Sequence, residues 1–237
     1  MTEALCQTNA YARATDAVVL DILPDGLVLD RTVFYARSGG QPGDNGRIRW
    51  VDGDVAVLDT YKRDGFYIHQ VDTAAAVPSS GTAVSAEIDW TRRHLLMRTH
   101  TALHVLSGIV WRDYEAKVTG GNMTPGEARM DFELESMSAE FGREMEAKLN
   151  EAIDADRTVN VLFLPRAEAL ADPELIRTKV NLIPETVDPI RVIDIEGLDR
   201  QADGGTHVRS TGEVGRVSVM KTENKGKAFK RMRIAIL

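Results

Sequence analysis

The chain has 237 residues, a net charge of −7 and 43% hydrophobic residues, enough for one large packed domain or two modest ones. No run reaches the roughly 18 apolar residues that a membrane-spanning helix needs. The N-terminus, MTEALCQTNAYARATD, lacks the basic-then-apolar pattern of a signal peptide, so no membrane partner and a cytoplasmic location are expected. A single cysteine, Cys6, excludes an intramolecular disulfide framework and suits a reducing compartment.

The first 90 or so residues read as β-rich. Val18 to Ile22 and Gly26 to Leu29 flank a Pro24-Asp25 turn signal, and Arg47 to Trp50 and Val55 to Tyr61 flank Asp52-Gly53. Phe66 to Val71 and Ala83 to Ile88 add two more strands. Short strands with frequent turns predict a small β-barrel. At Asp89-Trp90 the period changes: Leu95, Leu96, Thr99, Leu103, Leu106 and Val110 recur at helical spacing through Thr91 to Trp111. Met137 to Asp156 is a second helix, with Ser138 as N-cap and Phe141, Met145, Leu149 and Ile153 at four-residue steps. Val159 to Leu164 reads as a strand and Arg166 to Arg177 as helical. Pro189 to Ile195, Val214 to Lys221 and Arg231 to Leu237 read as further strands. The division falls near residue 90, with a β-rich domain over 1–90 and an α+β domain over 91–237.

An acidic total does not exclude local anion binding, because charge distribution matters more than the sum. Arg92, Arg93, His94 and Arg98 form one basic knot. The stretch from Lys221 to Leu237 holds Lys221, Lys225, Lys227, Lys230, Arg231 and Arg233 against a single acid, Glu223. Either could grip phosphates, and either could be an ordinary solvated helix start or strand end.

Three of the five histidines fall in two motifs. In THTALH, His100 and His104 are four apart on a predicted helix, which puts both imidazoles on one face. No glutamate follows the first, so this is not the HExxH pattern of zinc proteases. A lone pair at this spacing also fits two partly buried helix histidines. Near the other end, QADGGTHV sets Asp203 and His207 four apart around a double glycine, a loop able to aim both side chains at one point. Three histidines plus one aspartate make a four-ligand zinc set; three histidines and a water make an open catalytic site. His69 and His94 have no comparable setting. The segment FYARSGGQPGDNG packs tight turns that allow close approach to a ligand, with Gln41 as hydrogen-bonding group and Asp44 able to fix the loop. It is not a P-loop, because no Gly-Lys-Ser/Thr follows.

In order along the chain, FYARSGGQPGDNG, DWTRRHLLMRTHTALHVLSG, VTGG with ARMDF, GGTHVRSTGEVG and the basic C-terminal strand resemble the editing module of alanyl-tRNA synthetases and their free-standing relatives, the AlaX trans-editing proteins. The likeness runs over nearly the whole chain, and the retained glycine-rich domain is similar to the medium-sized AlaX type. It implies an α+β protein: an N-terminal small β-barrel followed by an editing domain of the threonyl/alanyl-tRNA synthetase type. It also implies hydrolysis of tRNA(Ala) mischarged with serine or glycine, with bound Zn2+. His100, His104 and His207 match the family's histidine ligands. Gln41 matches a glutamine that reaches the editing pocket from the N-terminal domain. Where the family's CGGTH has its cysteine ligand, this chain has Asp203, a harder donor that either ligates the metal or holds a ligand or water from behind. The metal either activates a water or holds the substrate amino group. Thr119 and Thr206 are candidates for bonding a serine hydroxyl, which would disfavour alanine. Arg92, Arg93, Lys225, Lys227 and Arg231 are candidate tRNA contacts. Two other readings of the chain are a non-catalytic tRNA-binding module of the same fold and a zinc hydrolase of small esters or amides.

Overall fold

The computed structural model describes the chain except for residues 1, 73, 178–182, 225, 227 and 228. The described residues divide into two compact units, Met1–His94 and Leu95–Leu237.

The strands of the first unit are β1 (Glu3–Ala4), β2 (Ala14–Leu23), β3 (Gly26–Leu29), β4 (Arg31–Thr32), β5 (Gly46–Trp50), β6 (Gly53–Val57), β7 (Asp59–Arg63), β8 (Phe66–Gln70) and β9 (Ala83–Ile88). Seven of them form one sheet in the order β6-β5-β9-β2-β3-β8-β7. β2 is long enough to serve two neighbours: Ala14 to Val18 pairs with β9, and Val19 to Leu23 pairs with β3 across a register shift between Val19 and Asp21. Such a bulge bends the strand and sharpens its twist. Val19, Leu27, Leu29, Phe34, Ile48 and Ala86 belong to the unit's hydrophobic core.

This sheet corrects the predicted barrel: among the described residues it does not close. Its two edge strands, β6 and β7, follow one another with only Leu58 between them. A hairpin needs about two linking residues to reverse direction, so the stretch Val55 to Tyr61 bends at Leu58 and cannot pair with itself. The segment read as one strand is two, one at each end of the sheet.

The second unit is built on α1 (Trp90–Tyr114), whose first turn belongs to the first unit. Every residue from Thr99 to Val110 is buried, as expected of a helix enclosed on all sides. β10 (Val118–Thr124), β11 (Glu127–Phe132), α2 (Ala139–Asp154), β12 (Val159–Leu164), α3 (Arg166–Ala171), β13 (Ile190–Ile195), β14 (Asp199–Ala202), β15 (Val217–Asn224) and β16 (Lys230–Ile236) follow. They form two antiparallel sheets, β10-β11-β16-β15 and β12-β13-β14. Ser138 caps α2, its side chain accepting from Phe141 N, and Met145, Leu149 and Ile153 line the buried stripe. The helical reading of Arg166 to Arg177 resolves into α3 and a short 3-10 turn at Pro173–Leu175. No helix among the described residues is long and apolar enough to cross a membrane.

Candidate metal centre

The three-stranded sheet and α1 build the site together. Strand pairing sets Ile195 against Asp199 and Ile193 against Gln201, and Asp203 N continues the ladder by donating to Arg191 O at 3.1 Å. Side chains two apart on a strand share a face, so Asp199, Gln201 and Asp203 project together. That face meets α1: Gln201 Nε2 donates to Ser107 Oγ at 3.1 Å, and His104 Nδ1 lies 2.9 Å from Asp199 Oδ2. Gly108 permits the approach, since a Cβ there would stand 2.8 Å from Leu198 O.

Past Asp203, Gly205 N donates to Asp203 Oδ1 at 2.6 Å, and the chain folds back until His207 Nε2 lies 3.2 Å from the same oxygen. Thr101 pins the returning segment to the helix: its Oγ1 accepts Val208 N and sits 3.2 Å from His207 Nδ1. His100 Nε2 and His104 Nε2 lie 3.6 and 3.9 Å from Asp203 Oδ2. One ligand atom from each of His100, His104, Asp203 and His207 thus falls within 4.8 Å of all the others. The imidazoles are enclosed, at 7%, 8% and 1% side-chain exposure, whereas Asp203 keeps 19%. The site therefore opens on its Asp203 side.

The electrostatics of the cluster are conflicted. Burial pushes His100 down to about 4, against the pull of Asp203 and with the help of the His104 cation. Burial also opposes the His104 cation, but the hydrogen bond to Asp199 and the nearby charge of Asp203 outweigh it and lift that ring to about 9. His207 is pushed well below its usual range by burial and by its imidazole neighbours. Asp203 is held well below the carboxylate range because the surrounding imidazoles outweigh the cost of burying it. Asp199 can only accept, so His104 Nδ1 carries the proton of their shared bond.

This donor set fits a small divalent cation. Bonds of about 2.0–2.1 Å in a tetrahedral site put ligand atoms about 3.3–3.4 Å apart, and the separations of 3.2, 3.6 and 3.9 Å around Asp203 are close to that. The carboxylate–His104 contact from Asp199 is the outer bond that metal-binding histidines commonly make. Asp199 is itself held by Arg177 Nη1 at 2.7 Å and by Gln201 Nε2 at 2.9 Å.

Comparison with known proteins places the chain in a family. Residues 4–92 match the class II (A) tRNA synthetases and residues 190–233 match the threonyl and alanyl tRNA synthetase second additional domain. The chain is 35% identical to the alanyl-tRNA editing protein AlaX-M of Methanosarcina acetivorans over the whole of both chains. It is also 35% identical to AlaX-M of Saccharolobus solfataricus over 98% of each. The chain belongs to the AlaX-type alanyl-tRNA editing proteins. The alanine–tRNA ligase of Methanopyrus kandleri, at 37% identity, covers 88% of this chain but only 23% of its own length.

The remaining residues singled out in this AlaX-type chain fall as follows. Gln41 is buried in the first unit, in a two-residue turn: Ser38 and Gln41 exchange backbone bonds around Gly39 and Gly40, both at positive φ. Gly43 is equally constrained, since a Cβ there would stand 2.1 Å from Thr60 O. Thr119 sits at a β-bulge between Val118 and Gly120, and its buried hydroxyl has no hydrogen-bond partner among the described residues. Thr206 is fully buried beside His207. Arg92 donates to Gly43 O at 2.7 Å. Arg93 requires a correction: it is fully buried, with its guanidinium committed to Asp44, Val33 O and Ala10 O, so it offers no charge to a phosphate. Arg231 makes a two-point bond to Asp131, Arg233 meets Glu223, and Lys230 Nζ donates to Gly226 O, so β16 is less available than its composition suggests. Lys225 and Lys227 lie outside the described residues. His69 is buried between Leu27 O and Thr32 Oγ1, and His94 stacks on Trp90. Sequence reading missed Asp199 and Arg177, although polar residues at every second position, Asp199, Gln201 and Asp203, already suggested one polar strand face.

Proposed function

We propose that the chain is a trans-editing hydrolase that removes serine, and glycine, from mischarged tRNA(Ala), with Zn2+ held by His100, His104, Asp203 and His207. The observation that carries this is the convergence of three imidazoles and a carboxylate, in a chain that aligns end to end with AlaX-M proteins.

The reaction adds water across the ester between the amino acid and the tRNA 3′ end, releasing a carboxylic acid and a free hydroxyl. When bound, the metal supplies Lewis-acid polarisation. The chain supplies the rest. Asp199 keeps the His104 proton on Nδ1 and its Nε2 turned toward the cluster. The buried rings exclude water from all sides but that of Asp203, which strengthens electrostatic interactions inside. Thr119 offers a buried hydroxyl without a hydrogen-bond partner among the described residues, a group that gains from a substrate hydroxyl and is left unpaired by the methyl of alanine. Thr206 and Gln41 are the further polar groups proposed to line the substrate path, and Arg92, Lys225, Lys227 and Arg231 the proposed phosphate contacts.

The test is deacylation of Ser-, Gly- and Ala-tRNA(Ala), with and without a chelator. The expected outcome is chelator-sensitive loss of serine and glycine with alanine spared. Salt-dependent tRNA binding without hydrolysis would instead mark a binding module, and hydrolysis restricted to small esters or amides would remove the RNA from the account.

A further inference from the structure

The sheet that carries Asp199 and Asp203 has an edge with no assigned purpose. β12 pairs with β13 so that Val159 opposes Ile195, Val161 opposes Ile193 and Phe163 opposes Arg191. Directly opposed residues project from the same face. Val161 and Phe163 therefore share the face of Asp199, Gln201 and Asp203. On the other face Leu162 and Leu164 meet Ala169, Ile190 and Val192, while α1 covers the first face only over its Asp199 and Gln201 part. Despite their apolar character, Val161 is 39% exposed and Phe163 is 44% exposed.

Position makes the aromatic informative. Phe163, Arg191 and Asp203 lie in one row across three strands. Strands are spaced about 4.8 Å apart, so the Phe163 and Asp203 backbones are separated by roughly 10 Å. Asp203 is the most open corner of the metal cluster, and Phe163 is exposed on the same sheet face in the same row. Tyr114 and Phe229 are also exposed in this unit, but neither belongs to this sheet. Between Phe163 and Asp203, Arg191 is spent inside the protein, donating to Asp203 O at 2.8 Å.

We propose that Phe163, with Val161 beside it, is a stacking platform for a nucleobase at the single-stranded 3′ end of the aminoacylated RNA. This rests on the proposed function, because that substrate carries its ester on the same ribose as its terminal base. Aromatic faces are the usual seat for unpaired bases and tolerate any base identity. Phe163 shares a sheet face and a row with Asp203, so a base seated on Phe163 would bring the adjoining ester toward Asp203. Phe163 thereby positions the substrate and takes no part in bond breaking.

Two measurements test it. The first is the concentration dependence of Ser-tRNA(Ala) deacylation by the full chain and by Phe163→Ala, Phe163→Leu and Phe163→Tyr, each checked for folding by circular dichroism. Loss of one stacked base predicts a KM raised roughly five- to 100-fold in Phe163→Ala, no rescue by leucine, and restoration by tyrosine. The second does not need turnover: fluorescence of Phe163→Trp is expected to be quenched by a short RNA with the tRNA 3′ sequence. An unchanged KM in Phe163→Ala, rescue by leucine as good as by tyrosine, or no quenching would each overturn the platform. Wild-type protein that binds the RNA with quenching of Phe163→Trp but never deacylates would overturn the editing reaction and leave the platform standing.

Discussion

Arg93 and Asp44 in the first unit, and the His100–His104–Asp203–His207 group in the second, are both buried polar clusters, yet their chemistry differs. Arg93 meets a carboxylate of opposite charge and two backbone carbonyls, and Asp44 also accepts Tyr35 N, so every strong group has a partner. Arg93 thereby ties the start of α1 to the glycine-rich turn. In the second unit, three imidazoles face one another across distances where cations repel, and one carboxylate serves all three. His69 sharpens the contrast: it is as buried as they are, but its two nitrogens meet Leu27 O and Thr32 Oγ1. A satisfied buried group stabilises a fold, whereas ligand atoms converging on one point have the form of a cation site.

The largest effect that separates the two regions is predicted at the ion pair. Arg93→Ala leaves Asp44 buried and unpaired and is expected to cost about 3–5 kcal/mol in urea unfolding, whereas a double replacement by apolar residues costs much less. If the single and double variants are equally destabilised, the pair is not what holds the turn.

Next comes His69, where burial pushes the ring down to about 4 from 6.5 despite its bond to Leu27 O. Below pH 6.5 the unfolded chain takes up a proton that the folded chain refuses, so stability is present above 6.5 and falls as the pH drops toward 4. The loss reaches about 3 kcal/mol at pH 4. His69→Gln is expected to flatten the unfolding curve in that window; an unchanged slope would place the acid sensitivity elsewhere.

A smaller effect is expected behind the cluster. Asp199→Asn removes the charge that orients His104 and is predicted to weaken metal affinity by roughly 10–100-fold without loss of fold, read by competition with a chelating dye. Affinity equal to wild type would make Asp199 a packing residue only.

The sequence alone revealed what is local or periodic. The spacing of His100 and His104 on a helix, the Asp203–His207 loop and the Ser138 cap are short-range patterns, and each is present in the structure. What depends on distant partners was hidden. Arg93 looked like surface charge because its partner, Asp44, lies on another segment, and Asp199 drew no notice because its value comes from His104. Sheet closure was misjudged for a related reason: strands are visible in sequence, but whether β6 and β7 can pair turns on the single residue Leu58 between them. Phe163 reads in sequence as one more apolar strand residue, and only the register with Arg191 shows which face it occupies.

The most direct measurement of the central claim is metal content by elemental analysis of the purified, folded chain, beside His104→Ala and Asp203→Ala. Close to one equivalent of a divalent metal is expected in the wild type, with its loss in both variants and folding retained. A wild-type chain that holds no metal when supplied with zinc, or variants that keep a full equivalent, would contradict it.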